Sequence, residues 1–285
     1  MAPPGILREV TRALTGTLVA LDLAKAHAYG NDFVYVGAEH LDRPDGPQLA
    51  RAICARQTGA GADGLILYRA TGAGAAMRLY NADGSYSEVS GNGVRGLAAV
   101  CCWREVRAGR PVPRSVVIST DAGDKPVEIL SSEPPRFTCR TAIGHPTGVQ
   151  RVAIDVGGSP VDAVVLRIGN PQCVVLEPAL DQERYRRLGA ALEHHQFFPD
   201  GTNVEFAVVE RPDLVRILIS ERGVGPTLAS GTGACAAAVA AMTHGGAARD
   251  VTVASPGGEQ RVEWRADGLY LTGWAEVVWE GRWTR

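Results

Sequence analysis

Residues Glu221–Val239 read ERGVGPTLASGTGACAAAV, a glycine-rich turn that opens directly into an alanine-rich helix. Residues Asn81–Val100, NADGSYSEVSGNGVRGLAAV, repeat that plan. Ser90-Gly91-Asn92-Gly93 stands where Ser230-Gly231-Thr232-Gly233 stands 140 positions later. In each stretch the first helical turn carries no bulky side chain, so its unpaired backbone N–H groups stay open to a ligand. Such a terminus holds negative charge. Two of them facing each other would grip a carboxylate, or the enolate-like charge that forms when the carbon beside it loses a proton. The plainer reading is a pair of helices with serine caps, since Ser followed by Gly is ordinary capping chemistry.

The rest of the chain repeats as well. HAYGNDFVYV (His27–Val36) recurs as LRIGNPQCVV (Leu166–Val175), pairing Asn31 with Asn170 at an offset of 139. GADGLILY (Gly61–Tyr68) aligns with GTNVEFAV (Gly201–Val208), pairing Asp63 with Asn203 at 140. Three anchors in one order and at nearly one offset describe two copies of a single unit. The fold class is therefore α/β (α+β): two pseudo-symmetric domains, each a curled mixed sheet around a central helix. The expected division is an extension at 1–20 without a function of its own, a first domain at 21–140 and a second at 141–274, with the C-terminal strand 275–285 free to pair back onto the first.

The chain has 285 residues, 45% hydrophobic and 21% charged, with a net charge of −2. That composition suits two soluble domains and, without a basic run, argues against nucleic acid or a membrane surface as partner. A small molecule is the expected partner, and a homodimer is left open. No apolar run reaches the roughly 18 residues of a membrane span. Six cysteines without a CxxC pair provide neither a zinc site nor a secreted disulfide framework, which points to the cytoplasm.

In order, Leu21–Val36 reads as two strands joined at Tyr29-Gly30-Asn31, where Asn31 can take left-handed dihedrals. Gln48–Gln57 reads as a helix, and Gly64–Tyr68 and Met77–Tyr80 as strands. The first central helix is Asn92–Val106, with Cys101 and Cys102 as core fillers. Strands follow at Ser115–Ser119 and Val127–Leu130, and Pro134-Pro135 marks the approach to a boundary near 140. The second copy supplies strands at Val152–Asp155, Val161–Ile168 and Cys173–Leu176, then helix Leu180–Leu192, whose solvated end carries His194 and His195. Strands Val204–Val209 and Val215–Ser220, central helix Thr232–His244 and a hairpin tail complete the chain. In that tail Trp264, Tyr270, Trp274, Trp279 and Trp283 read as core and lid aromatics. No nucleotide fingerprint and no metal-ligand spacing is present.

The motifs HAYGND, GADGLI, YNADGS, SGNGVR, GNPQC, TNVEF, ERGVG, ASGTGACAAAV and SPGG together resemble the diaminopimelate epimerase family, from about Asp22 onward. The resemblance implies two mirror-like domains with the substrate in the cleft between them. It also implies cofactor-independent inversion of an amino-acid α-carbon by two cysteines on opposite faces. The matching positions here hold Ser90 and Ser230. By the same resemblance, the substrate is gripped by Asn31, Asn81, Gly91, Asn92, Asn170, Asn203, Glu221, Arg222, Gly231 and Thr232. That set suits a molecule with a zwitterion at each end: Arg222 forks onto a carboxylate, while Glu221 and asparagine carbonyls take ammonium protons.

Three further positions depart from the family: Gln172 replaces a histidine, Pro226 a glutamate and Gly96 a cysteine. A thiol can be brought to thiolate at a helix N-terminus, whereas a serine hydroxyl needs a neighbouring base. The sequence offers only His27, Asp83 or Glu88 for Ser90. Three readings follow: a diaminopimelate epimerase attenuated by serine at both acid/base positions, a one-base isomerase or dehydratase on the same fold, or a non-catalytic amino-acid binder.

Overall fold

The computed structural model describes residues 20–38, 41 and 44–284, so the extension read at 1–20 lies, except for Ala20, outside the described residues. The first copy is built from strands β1 (Ala20–Ala28) and β2 (Asn31–Gly37), helix α1 (Gly46–Cys54), and strands β3 (Gly64–Thr71), β4 (Gly74–Asn81) and β5 (Tyr86–Ser87). Helix α2 (Gly91–Arg107) and strands β6 (Ser115–Thr120), β7 (Gly123–Glu133) and β8 (Arg136–Gly144) complete it. The second copy runs through β9 (Thr147–Val156), β10 (Ser159–Ile168), β11 (Asn170–Leu176), helix α3 (Gln182–Glu193), β12 (Asn203–Arg211), β13 (Leu214–Glu221) and β14 (Gly225–Thr227). It ends with helix α4 (Gly231–His244), β15 (Asp250–Ser255), β16 (Gly258–Arg265) and β17 (Gly268–Thr284).

A helix that is apolar on every side has to be enclosed, and both central helices obey that rule. In α4 every residue from Ala234 to Ala241 is fully buried, and small side chains let strands β10 to β13, β15 and β16 approach on all sides. Helix α2 is enclosed in the same way by β1, β2, β4, β6, β7, β8 and β17, with Leu97, Ala98 and Val100 at its core. The outer helices are amphipathic and cover satellite cores, α1 with Ile53 over Leu65, and α3 with Leu188 over Val204.

Strand pairing carries the duplication. In each copy one parallel pair (β2 with β3, β11 with β12) leads through an antiparallel hairpin into a second parallel pair (β4 with β6, β13 with β15). The register corrects one sequence alignment. Phe33 pairs with Gly64, and Gln172 with Asn203, so the equivalent of Asn203 is Gly64 rather than Asp63. A bulge between Val209 and Arg211, absent from the β3–β4 ladder, inserts the residue that restores the larger offset downstream.

The two halves share one sheet. Strand β17 pairs with β16 through Gly268–Thr272, with β8 through Leu269–Glu276 and with β1 through Glu276–Thr284. Pro134 and Pro135 form the turn between β7 and β8 rather than a linker, and Arg140 lies within β8 opposite Thr272. Of the tail aromatics, Trp264, Trp274 and Trp283 pack on cores, while Trp279 is exposed.

Candidate active site

The β1–β2 turn begins the site. Tyr29 (φ 57°) and Gly30 (φ 90°) take its left-handed positions, whereas Asn31 is the first residue of β2, so the turn does not depend on Asn31. Left-handed backbone is unfavourable for tyrosine. Tyr29 is held there because its buried hydroxyl donates to Glu259 O at 2.9 Å and accepts from the Trp274 N–H at 3.1 Å. The side chain of Asn31 is thereby aimed at two neighbours: its Nδ2 donates to Asp63 Oδ2 at 2.9 Å, and its Oδ1 accepts from Asn92 Nδ2 at 3.2 Å. Behind it, Asp32 and Asp63 are clasped by Arg56 and Asp32 by Lys25. Burial raises the Asp32 carboxyl, but Arg56 and Lys25 outweigh it and hold the group below the usual carboxylate range.

Ser90 caps α2, its Oγ accepting the Gly93 N–H at 3.1 Å. A side-chain carbon placed on Gly91 would meet no protein atom within 4 Å, so the first turn of α2 is open on its outer side. Among the described residues none of His27, Asp83 and Glu88 hydrogen-bonds Ser90: His27 Nδ1 accepts from Gly30 N–H, and Asp83 Oδ1 from Ser85 N–H.

Ser230 caps α4 in the same manner, accepting the Gly233 N–H at 3.3 Å and lying 3.5 Å from the Thr232 hydroxyl. It is 3% exposed, and its hydroxyl lies near enough to the Glu221 carboxyl to influence its charge. Burial pushes Glu221 above the ordinary carboxylate range, only partly offset by the nearby Ser230 hydroxyl. The base that the sequence did not reveal for a serine therefore stands beside Ser230, on a residue read only as a substrate contact. Helix α3 holds the loop that carries it: Glu193 Oε1 accepts the Gly223 N–H at 2.7 Å. Asn203 Oδ1 accepts the Arg222 N–H at 2.9 Å, and Arg222 Nη1 donates to Asp200 O at 2.8 Å. Asn170 Oδ1 takes Gln172 Nε2 at 2.7 Å, and Asn81 Nδ2 donates to Ser85 Oγ at 2.9 Å. Asn81 Oδ1, Asn170 Nδ2 and Asn203 Nδ2 have no partner among the described residues.

The halves meet at the Asn31 turn. Leu228, two residues before Ser230, lies 3.1 Å from where a side-chain carbon on Gly30 would stand, and Leu228 O accepts the Gly257 N–H. Ala229 is buried in the core around α2, and α2 and α4 touch. A turn that bonds the head of one helix thus supports the lead-in to the other. Cavities of about 640 Å³ beside α1 (Gln48, Arg51, Trp283) and about 230 Å³ beside Tyr29 and Gly273 are lined by neither serine.

Two of the departures have structural explanations. The Tyr35 hydroxyl, which donates to Gly93 O at 3.1 Å, would lie 2.0 Å from a side-chain carbon on Gly96, so only glycine fits there. Gln172 is fully buried and turned onto Asn170. Nothing in the structure explains Pro226. No thiol replaces the serines: all six cysteines are free and buried or half-buried. Desolvation raises Cys54, Cys102 and Cys235 to about 12 and Cys101 and Cys139 to about 11. His195 Nε2 donates to Asp155 O at 3.0 Å and His194 lies against Glu193, as at a structural helix end. Among the described residues there is no cluster that could hold a metal, and no helix is long and apolar enough to cross a membrane.

Sequence reasoning passed over Glu205 and Arg95. Arg95 is 1% exposed, stacks over Tyr29 and reaches Asn92 Oδ1 at 3.4 Å. Glu205 was visible only as a charge inside the apolar alternation of TNVEF.

The profile of the family described as diaminopimelate epimerase matches residues 23–147 and 164–278. Diaminopimelate epimerase of Desulforudis audaxviator is 40% identical over 93% of this chain and 100% of its own length; that of Desulfitobacterium hafniense is 36% identical over 92% and 97%. Among solved structures, a Bacillus anthracis phenazine biosynthesis protein of the PhzF family superposes with a TM-score of 0.68 at 15% identity, covering 93% of this chain and 99% of that one. A hydroxyproline epimerase from Agrobacterium vitis follows at 0.67 and 15%, covering 93% and 92%. These neighbours share the two-helix, curled-sheet fold. With full-length relatives well above 30% identity and a profile spanning both copies, the chain belongs to the diaminopimelate epimerase family.

Proposed function

We propose that this chain interconverts LL- and meso-2,6-diaminopimelate by proton transfer at one α-carbon, without a cofactor, at a rate reduced by serine at both acid/base positions. The observation that carries the reading is the pair of equivalent helix heads, each capped by a serine and each opening a glycine turn, with the Asn31 turn set against both. The reacting carboxylate lies at the N–H groups of Gly91, Asn92, Gly231 and Thr232, where helix dipoles stabilise the enolate-like charge that forms as the α-proton leaves. On one face Ser230 takes that proton while passing its own to Glu221, and on the other Ser90 donates or receives without a partner base. The remote zwitterion is gripped by Arg222 and by the unused amide groups of Asn81, Asn170 and Asn203. Each half supplies one face, which follows the duplication of the chain. The protein would work in the cytoplasm, where its thiols stay reduced, on a small molecule rather than nucleic acid, and a homodimer is compatible with the site.

Isothermal titration tests the substrate. LL- and meso-diaminopimelate should both give heat, and Arg222→Ala should weaken binding by about 2–5 kcal/mol, the cost of losing one partner of a charge-assisted contact. No heat from either isomer would contradict the assignment.

A further inference from the structure

The two helix heads are not alike beneath. A side-chain carbon on Gly93, in the first turn of α2, would lie 2.9 Å from Ile66 Cδ1, whereas the equivalent carbon on Gly233 would lie 2.7 Å from Glu205 Oε1. Ile66 and Glu205 are the same position in strand register, two residues beyond Gly64 and Asn203. The first half therefore shows that an apolar side chain fills this place well, yet the second half buries a carboxyl there. Glu205 is 0% exposed, and neither of its oxygens finds a hydrogen-bond partner among the described residues. A partnerless buried carboxyl is worse for stability than the aliphatic alternative, so its presence calls for a chemical reason. The point above Gly233 that touches Glu205 Oε1 also lies 3.2 Å from Ser230 Cβ, so the carboxyl sits behind the capping serine.

We propose that Glu205 is the proton-donating partner of Ser230, standing opposite Glu221 so that one face of the site holds both an acid and a base. The inference rests on the epimerase reading above. The step uses Glu221 as a carboxylate and Glu205 as a neutral acid, the form favoured in Glu205 by burial and then by the Glu221 charge. The titratable groups facing Glu205 are Glu221 on β13 and the buried Cys173 thiol on β11, while the first turn of α4 presents only the hydroxyls of Ser230 and Thr232. In the forward step the α-proton moves to Ser230 Oγ as the serine proton moves to Glu221, and the C–H electron pair remains on the substrate. Before the return step Glu205 and Ser230 swap protons, the acid's proton passing to Oγ as the α-proton passes from Oγ to the carboxyl. The carbanion then takes the proton that came from Glu205, and Glu221 gives its proton back to Ser230, which leaves Glu221 a carboxylate and Glu205 a neutral acid again. The proton returned is thus not the one removed, so the face exchanges hydrogen with retention of configuration. Glu205 acts through Ser230 and is a positioning residue.

The test uses Glu205→Gln, which keeps size and neutrality but has no acidic proton, and Glu205→Leu, which imitates Ile66. In deuterated water with LL- and meso-diaminopimelate, loss of the α-proton from the isomer presented to Ser230 should fall roughly tenfold or more in both variants, with the dissociation constant unchanged. The unmodified protein should lose exchange as alkaline pH strips Glu205 of its proton, and the residual rate of Glu205→Gln should lack that limb. Exchange at the unmodified rate in both variants would overturn the proposal. A ligand-free arm separates this failure from that of the epimerase reading: thermal melts of the unmodified protein and Glu205→Gln across pH. The variant should gain on the unmodified protein as pH rises above the ordinary carboxylate value, and parallel curves would overturn the proposal whether or not diaminopimelate binds.

Discussion

The side-chain carbonyl of Asn203 accepts the backbone N–H of Arg222 at 2.9 Å, fixing the loop that places Glu221 against Ser230. Asn203 is buried, so its loss leaves a backbone donor unpaired as well as loosening the loop. Asn203→Ala is expected to cost about 1–3 kcal/mol of stability in urea melts and to weaken diaminopimelate binding by calorimetry together with it. Full affinity in the variant would reduce Asn203 to a scaffold residue.

Glycines 91 and 96 should separate ligand access from packing. With nothing near its missing side chain, Gly91→Ala should hold stability within about 0.5 kcal/mol while obstructing the carboxylate site. Gly96→Cys, which drives a thiol into the Tyr35 hydroxyl, should cost about 1–3 kcal/mol, and adding Tyr35→Phe should recover part of that. Additive behaviour of the pair in denaturant melts would contradict the contact.

The acid limb of stability has a definite sign. Glu205 and Glu221 both have folded-state values raised above the ordinary one, so their contribution is complete below the unfolded value and is lost as pH rises through the folded values. Asp32 works in the opposite direction, its lowered value contributing above the unfolded value and failing as pH falls. Replacing Asp32 by Asn should flatten the acid side of the melting curve, and replacing Glu205 by Gln the neutral-to-alkaline side. Identical pH profiles for either variant and its parent would refute that assignment.

The sequence was informative where the chain repeats itself. The serine-glycine heads of Ser90 and Ser230, the enclosed helices and the curled sheets all follow from duplicated, locally consistent patterns. Contacts made across the repeat were not legible, because they depend on register and on side chains far apart in the chain. The one-residue slip at Asp63 came from a bulge near Glu210 that leaves no mark on composition. Tyr29 holds its left-handed turn through Glu259 and Trp274, more than two hundred residues away. Glu205 stands in TNVEF as one charge among apolar neighbours, and only its burial against Gly233 marks it.

The decisive measurement follows α-proton loss and configuration side by side in deuterated water, for the unmodified protein and for Ser90→Cys/Ser230→Cys, starting separately from LL- and meso-diaminopimelate. A thiol can change protonation state near neutral pH on both faces, whereas here only Ser230 has carboxyls close by. The unmodified protein should therefore exchange hydrogen from one isomer faster than it inverts either. The double cysteine form should invert faster than the unmodified protein by roughly 10²–10⁴-fold, with exchange and inversion keeping pace. Inversion by the unmodified protein as fast as its own exchange and as fast as the double cysteine form would contradict the account.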